Sequence, residues 1–257
     1  RDRSVSRGLG DVYKRQLNRS VTAFYFRLIR KVGRNRMKYR IRLWDFDGTL
    51  ADTGRDVWNS IQYAAKKCGG EIDRDYMKKD SNLGKPLAEI FEKVMPYPGK
   101  QKFGQFEQLV RIHYREISMY EETYLYHGIA EILESAEVED AADYVITMKP
   151  KSALERILET KGWSNLFTDC LSPDSFDGKE KKKSELISYI LEKTGCKPEE
   201  TVYIGDTWSD VIAARENNID CIGVTYGDGD TGELLAENPR FCVDSVCELK
   251  KILEEGA

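Results

Sequence analysis

Two aspartates stand two positions apart in Asp45-Phe46-Asp47-Gly48-Thr49-Leu50, directly after an apolar stretch, Tyr39 to Trp44, that reads as a β-strand. Residues i and i+2 of an extended segment point the same way, so both carboxylates would emerge together at the strand's end. Two like charges that close repel unless one is protonated or a cation sits between them. A Mg²⁺ ion with oxygen ligands is the natural resolution. Gly48 permits the tight turn that exposes the pair, although Asp-Gly is in itself a turn signal. A second such place lies far along the chain, where the apolar strand Thr201 to Ile204 ends in Gly205-Asp206-Thr207-Trp208-Ser209-Asp210. Asp206 can complete the metal's ligand set. Asp210, one helical turn on, can orient a metal-bound water or Lys183 from behind the ligands, or serve only as an acid at a helix N-terminus.

The elements that must position these acids alternate between β-rich and helical stretches from Met37 onward, the pattern of a parallel sheet with crossover helices. Further strands are expected at Asp143 to Thr147, Phe167 to Leu171 and Asp220 to Val224. Ser152 to Glu155 reads as a capping box opening a helix that carries Leu154, Ile157 and Leu158 on one face. A second helix starts near Ser184, buries Leu186, Ile187, Ile190 and Leu191, and ends at Gly195. Asp244 can cap a last helix whose Val246, Leu249, Ile252 and Leu253 face the sheet. Between the first strand and the second, Val57 to Lys67, Pro86 to Val94 and Phe103 to Tyr120 all read as helices with no strand among them. The expected architecture is α/β, a Rossmann-like parallel sheet core formed by 37–53 and 138–257, with a helical cap, 54–137, inserted into it.

The order DFDGTL, helical insert, VITMKP, a lysine before a helix, YIGDTWSD and IGVTYG resembles the four-motif signature of the haloacid-dehalogenase-like hydrolases, across nearly everything from Met37 on. The insert directly after the first motif, Leu83-Gly84-Lys85-Pro86-Leu87, and Asp177-Gly178 followed by Lys183-Ser184-Glu185 are similar to the phosphoglycolate phosphatase-like group. The resemblance implies a magnesium-dependent phosphatase in which Asp45 is the nucleophile and forms an aspartyl-phosphate. It makes Asp47 the general acid and base, with its backbone carbonyl on Mg²⁺. Thr147 would hydrogen-bond a phosphoryl oxygen, and Lys183 would neutralise the reacting charges. Lys183 is preferred to Lys181 because it stands immediately before the helix. The implied metal set is Asp45, Asp47, Asp206 and Asp210, and the implied partner a small phosphorylated metabolite: phosphoglycolate, a nucleotide monophosphate or a sugar phosphate. A phosphomutase, or a non-catalytic module on the same fold, would share the pattern. The chain departs from the family at Met148, where Asn or Ser is usual, at Arg40 and Arg42 in a strand that is mostly apolar, and at His127, read as a loop residue. Lys85 could meet an anionic group of the substrate or remain a solvated loop lysine.

Composition narrows the partners. With 40 basic against 44 acidic residues the net charge is −4, which gives no excess of positive charge for nucleic acid or an anionic membrane. No apolar run approaches the roughly 20 residues of a membrane helix. Six cysteines without a CxxC pair, and two histidines, are read as reduced packing residues of a cytoplasmic protein with no zinc site. A monomer or homodimer is expected. Residues 1–36 are rich in Arg and Lys and close no apolar face, and Asp11-Val12-Tyr13-Lys14-Arg15-Gln16 resembles translated adapter sequence. They are read as a non-native or disordered extension and left out of the fold.

Overall fold

A computed structural model of the chain describes residues 39–77, 83, 85–95 and 100–255. The extension expected at 1–36 lies outside them. Six strands, β1 (Ile41–Trp44), β4 (Ala142–Ile146), β5 (Asp169–Leu171), β6 (Thr201–Gly205), β7 (Asp220–Val224) and β8 (Phe241–Val243), form one sheet in the order β5-β4-β1-β6-β7-β8. Every pairing in it is parallel. The short pair β2 (Ala51–Asp52) and β3 (Tyr124–Leu125) is antiparallel. Among the described residues no helix is long and apolar enough to cross a membrane.

Parallel strands covered on both faces are apolar on both, and alternate residues sort to opposite cores. Trp44, Val145, Val202, Ile204, Ile222 and Val224 share one core with α5 (Ile129–Glu139), α6 (Lys151–Lys161) and α10 (Val246–Glu255) through Ile129, Ile132, Leu154, Ile157, Leu249 and Leu253. Ile41, Leu43, Tyr144, Tyr203 and Cys221 share the other with α7 (Lys183–Thr194), α8 (Trp208–Glu216) and α9 (Thr231–Ala236) through Leu186, Ile187, Ile190, Val211 and Leu234. A third cluster, with Trp58, Ile61, Ile90, Phe91 and Phe106, belongs to α1 (Gly54–Lys67), α3 (Leu87–Val94) and α4 (Lys100–Ile112) of the insertion. The short α2 (Arg74–Met77) lies between α1 and α3, and a π-helical turn, His113–Ile117, follows α4.

Several expectations shift. Residues 129–137 were read as part of the insertion, yet Ile129, Ile132 and Leu133 of α5 pack with Trp44 and Val145, so this helix lies with the sheet. The capping box at Ser152 is absent: Pro150 takes the N-cap position, Ser152 is exposed inside α6, and the Lys151 amide is satisfied by Asp174 Oδ1 at 2.8 Å. Ser245, not Asp244, faces the start of α10, its Oγ accepting from the Glu248 amide at 3.4 Å. Gly195 ends α7 in the left-handed conformation, as expected. Cys242 and Cys247 are exposed, whereas Cys68 and Cys221 are buried.

Arg42 is fully buried in the middle of β1. Its guanidinium donates to both oxygens of Asp143 on the adjacent β4, at 2.7 and 2.6 Å, and Trp44 Nε1 donates to the same carboxylate at 2.7 Å. A bidentate pair that satisfies the charge is what allows Arg in a central strand. Removing Asp143 leaves the Arg42 charge buried without its carboxylate. Asp143→Ala should therefore cost about 3–5 kcal/mol of unfolding free energy in denaturant titration. Arg55→Ala, which breaks an exposed pair with Glu122, should cost less than about 1 kcal/mol. Equal losses would show that the buried pair is not a strut of the sheet.

Candidate active site

From β1 the chain moves to β4 and β5 on one side, then crosses to β6, β7 and β8 on the other. The carboxyl ends of β1 and β6 therefore flank a topological switch point, where ligands of open α/β sheets bind. Asp45 follows β1 directly, and its amide continues the ladder to the Ile204 carbonyl at 2.9 Å. Asp206 follows β6. The ligand oxygens of Asp45, Asp206 and Asp210 all lie within 4.8 Å of one another, and all three residues are buried.

Each carboxylate is held by named partners. Asp45 Oδ1 accepts the Phe46 amide at 2.7 Å, and Asp45 Oδ2 meets Lys183 Nζ at 2.8 Å. Asp206 accepts from Thr49 Oγ1 at 3.1 Å and from the Gly229 amide at 3.0 Å. Asp210 closes a capping box on α8, where its Oδ2 accepts from the Thr207 amide at 3.0 Å and the Thr207 hydroxyl at 2.7 Å. Its Oδ1 contacts Lys183 Nζ. All three carboxylates thus have both oxygens engaged by protein donors; Asp210 shares Lys183 with Asp45 and lies with Asp45 and Asp206 in the cluster that could hold a metal. Lys181, the other lysine considered, places its Nζ over the Phe176 ring.

Close packing explains two glycines. Gly48 has φ +72°, and a Cβ there would collide with the Asp206 carboxylate; a Cβ at Gly205 would collide with that of Asp210. Thr147 lies just past β4 and is buried, its hydroxyl accepting from the Lys149 amide at 3.2 Å. Met148, beside it, is exposed. His127 is exposed in a turn. Lys85 pairs with Glu89 at 3.2 Å within the insertion.

Burial is the main cause that pushes the Asp45 carboxyl up to about 6, opposed by Lys183 and reinforced by Asp210. Burial, then Asp45 and Asp210, push Asp206 up to about 7. Burial alone would lower the Lys183 ammonium, but the attraction of Asp45 and Asp210 outweighs it and holds it above its ordinary value. Three carboxylates against one ammonium leave two negative charges in excess when all are ionised. Hard oxygen donors with that charge fit a divalent cation of the Mg²⁺ type.

Asp47 is brought to the same crevice, half exposed, with Oδ1 accepting from Thr53 and lying 3.0 Å from Lys149 Nζ. Sequence reasoning missed Lys149. It carries no periodic signal, and the hint available was its position three residues past the end of β4, two beyond Thr147.

Fold and site together define a hydrolase-type α/β protein whose acids sit at the switch point of a parallel sheet. The model of the haloacid dehalogenase-like hydrolases matches residues 42–224, and the chain belongs to that family. It is 30% identical to a 5'-nucleotidase of Pseudomonas aeruginosa over 85% of this chain and 97% of the relative, and 27% identical to a phosphoglycolate phosphatase of Vibrio parahaemolyticus over 83% and 96%. Its structure superposes on that of a candidate phosphatase of Clostridium difficile with TM-score 0.74 at 29% identity, covering 84% of this chain and 99% of the other.

A bound divalent cation stabilises the folded state by mass action, about 2.7 kcal/mol at 100-fold excess over Kd. The sign of the pH effect follows from the raised carboxyls. Their protonated forms stabilise the metal-free fold at low pH, and that stability is lost as pH rises through about 6 to 7. Mg²⁺ should therefore raise the thermal midpoint more at pH 8 than at pH 5.5, and Asp206→Asn should abolish the shift. A shift independent of pH, or retained in the variant, would place the cation elsewhere.

Proposed function

We propose that the protein is a Mg²⁺-dependent phosphatase that hydrolyses the phosphate monoester of a small cytoplasmic metabolite through a phosphoryl group carried on Asp45. The observation that carries this reading is the Asp45 carboxylate, fixed at the end of the central strand with Lys183 Nζ at 2.8 Å and Asp206 beside it. A carboxylate at the carboxyl end of a central strand, beside a lysine and a second acid that could share a cation, is placed as a nucleophile for phosphorus would be. The names of the curated relatives, 5'-nucleotidase, phosphoglycolate phosphatase and pyrophosphatase, support phosphate chemistry.

In the proposed cycle Asp45 attacks phosphorus and the bond to the leaving oxygen breaks. Asp47 gives that oxygen a proton as it departs. Water then attacks the Asp45-bound phosphoryl group, giving its proton to Asp47, and inorganic phosphate and free Asp45 result. Lys183, oriented by Asp210, balances charge on Asp45 and the phosphoryl oxygens, and the Thr147 hydroxyl donates to one of them. Asp45, Asp206 and the Asp47 backbone carbonyl would hold Mg²⁺, which when bound supplies positive charge at the transferring group. The helical insertion would act as the lid that keeps water out during transfer. It is well placed to do so, because its two ends are tied at the site: β2 pairs with β3, and Asp56 accepts from the Glu122 amide and the Thr123 hydroxyl.

The purified protein should release phosphate from alkyl and aryl monoesters, stop in excess chelator, and lose at least ~10³-fold in rate on Asp45→Asn. Asp47→Asn should slow alkyl phosphates by about 10²–10⁴-fold. It should slow p-nitrophenyl phosphate less in the first turnover, because an acidic phenol needs no proton to leave. Equal slowing of both would remove Asp47 as the acid.

A further inference from the structure

Lys149 is buried, yet no step above uses it. Its Nζ lies 3.0 Å from Asp47 Oδ1 and donates to the Tyr114 phenol at 2.8 Å, with the Tyr114 ring centroid 4.7 Å away. Asp47 belongs to the core, and Tyr114 to the π-helical turn His113–Ile117 at the far end of the insertion. One ammonium thus joins the two parts of the molecule at Asp47.

The turn is built to present Tyr114 there. Single π turns recur at functional sites because the extra residue re-aims side chains. Tyr120 OH donates to the Tyr114 carbonyl at 2.6 Å, the Tyr114 and Tyr120 rings meet edge to face at 5.4 Å, and Arg156 of α6 donates to the Ser118 carbonyl at 3.0 Å. The segment after the π turn is thereby clamped to the sheet's own helix. Burial would lower the Lys149 ammonium, but Asp47 and Tyr114 together hold it above its ordinary value. Thr53, the N-cap of α1, makes no capping hydrogen bond with its side chain; its hydroxyl donates to Asp47 Oδ1. The segment leading into the insertion therefore reaches Asp47 directly through Thr53, and the one leading out reaches it through Lys149.

We propose that Lys149 and Tyr114 are positioning residues for Asp47: Lys149 fixes the carboxylate over the leaving oxygen, and Tyr114, carried by the insertion, fixes Lys149. The inference rests on the reading of Asp47 as the acid. A carboxylate held by two donors on one oxygen has lost the rotation that would carry the other away from the reacting centre, and misplacement by about 1 Å can cost up to 10²-fold. Lys149→Met keeps the volume and apolar stem of the side chain and removes only the ammonium.

The test is single-turnover kinetics on an alkyl phosphate and p-nitrophenyl phosphate, with wild type, Lys149→Met, Tyr114→Phe, Asp47→Asn and the double variants. Thermal midpoints and the Mg²⁺ shift confirm that each variant folds. Lys149→Met should lower kcat for the alkyl substrate roughly 10- to 100-fold, with KM little changed and the aryl substrate slowed much less. Tyr114→Phe should act in the same direction by about 2- to 10-fold, the worth of one hydrogen bond. Neither change should slow the enzyme further in the Asp47→Asn background, nor Tyr114→Phe in the Lys149→Met background. Equal slowing of both substrates, a rise confined to KM, or losses that persist without Asp47 would make Lys149 a substrate contact or a structural strut and overturn the proposal. If the wild type and Asp47→Asn behave as an acid catalyst requires but Lys149→Met matches wild type, this inference alone fails. A wild type that releases neither alcohol overturns the phosphatase reading and this inference with it.

Discussion

The crowding of like charge at the ends of two adjacent strands governs this molecule. Asp45, Asp206 and Asp210 bring their oxygens within 4.8 Å of one another in a buried site, with Lys183 the ammonium among them. Such an arrangement is costly unless each oxygen is met by a donor or a cation. The surrounding structure answers that demand. The β1–β6 pairing delivers two of the acids, the capping box of α8 delivers the third, and α7 starts at the lysine they require. Glycines stand where a Cβ would strike a carboxylate.

The same economy of donors links the insertion to the sheet. Asp47 sits between Thr53 at one end of the insertion and Lys149, which Tyr114 at the other end holds in place. Asp56 and the β2–β3 pair close the neck. A shift of the helical layer relative to the sheet would then be felt at Asp47, through Thr53 and Lys149.

The strand ends that form the candidate site were legible because their signals are local. Apolar runs that end in polar residues mark the strands' carboxyl ends and place Asp45, Asp47, Thr147 and Asp206 at one sheet edge. What was hidden depends on tertiary partners. Arg42 looked out of place in a central strand until Asp143 on the neighbouring strand was seen to hold it. Lys149 had no visible role because its partners lie far from it in sequence, 35 residues away in the case of Tyr114. Residues 129–137 were grouped with the insertion because no strand was expected before Asp143, and local pattern does not tell which core a helix packs on. The strand β8 escaped because it is three residues long at the sheet's edge, with Cys242 exposed in its middle. The start of α10 shows how close alternatives can be, since Asp244 and Ser245 are both good caps and only the chain path decides.

The account stands or falls on whether Asp45 carries the phosphoryl group. The direct measurement is rapid acid quench of Asp47→Asn protein during turnover of p-nitrophenyl phosphate labelled in its phosphorus, followed by peptide mass spectrometry. The account predicts covalent label approaching one phosphoryl group per chain, on Asp45, which is chased off by further incubation and is absent in Asp45→Asn. Phosphate release with no label on the protein, or with label on a residue other than Asp45, would contradict it.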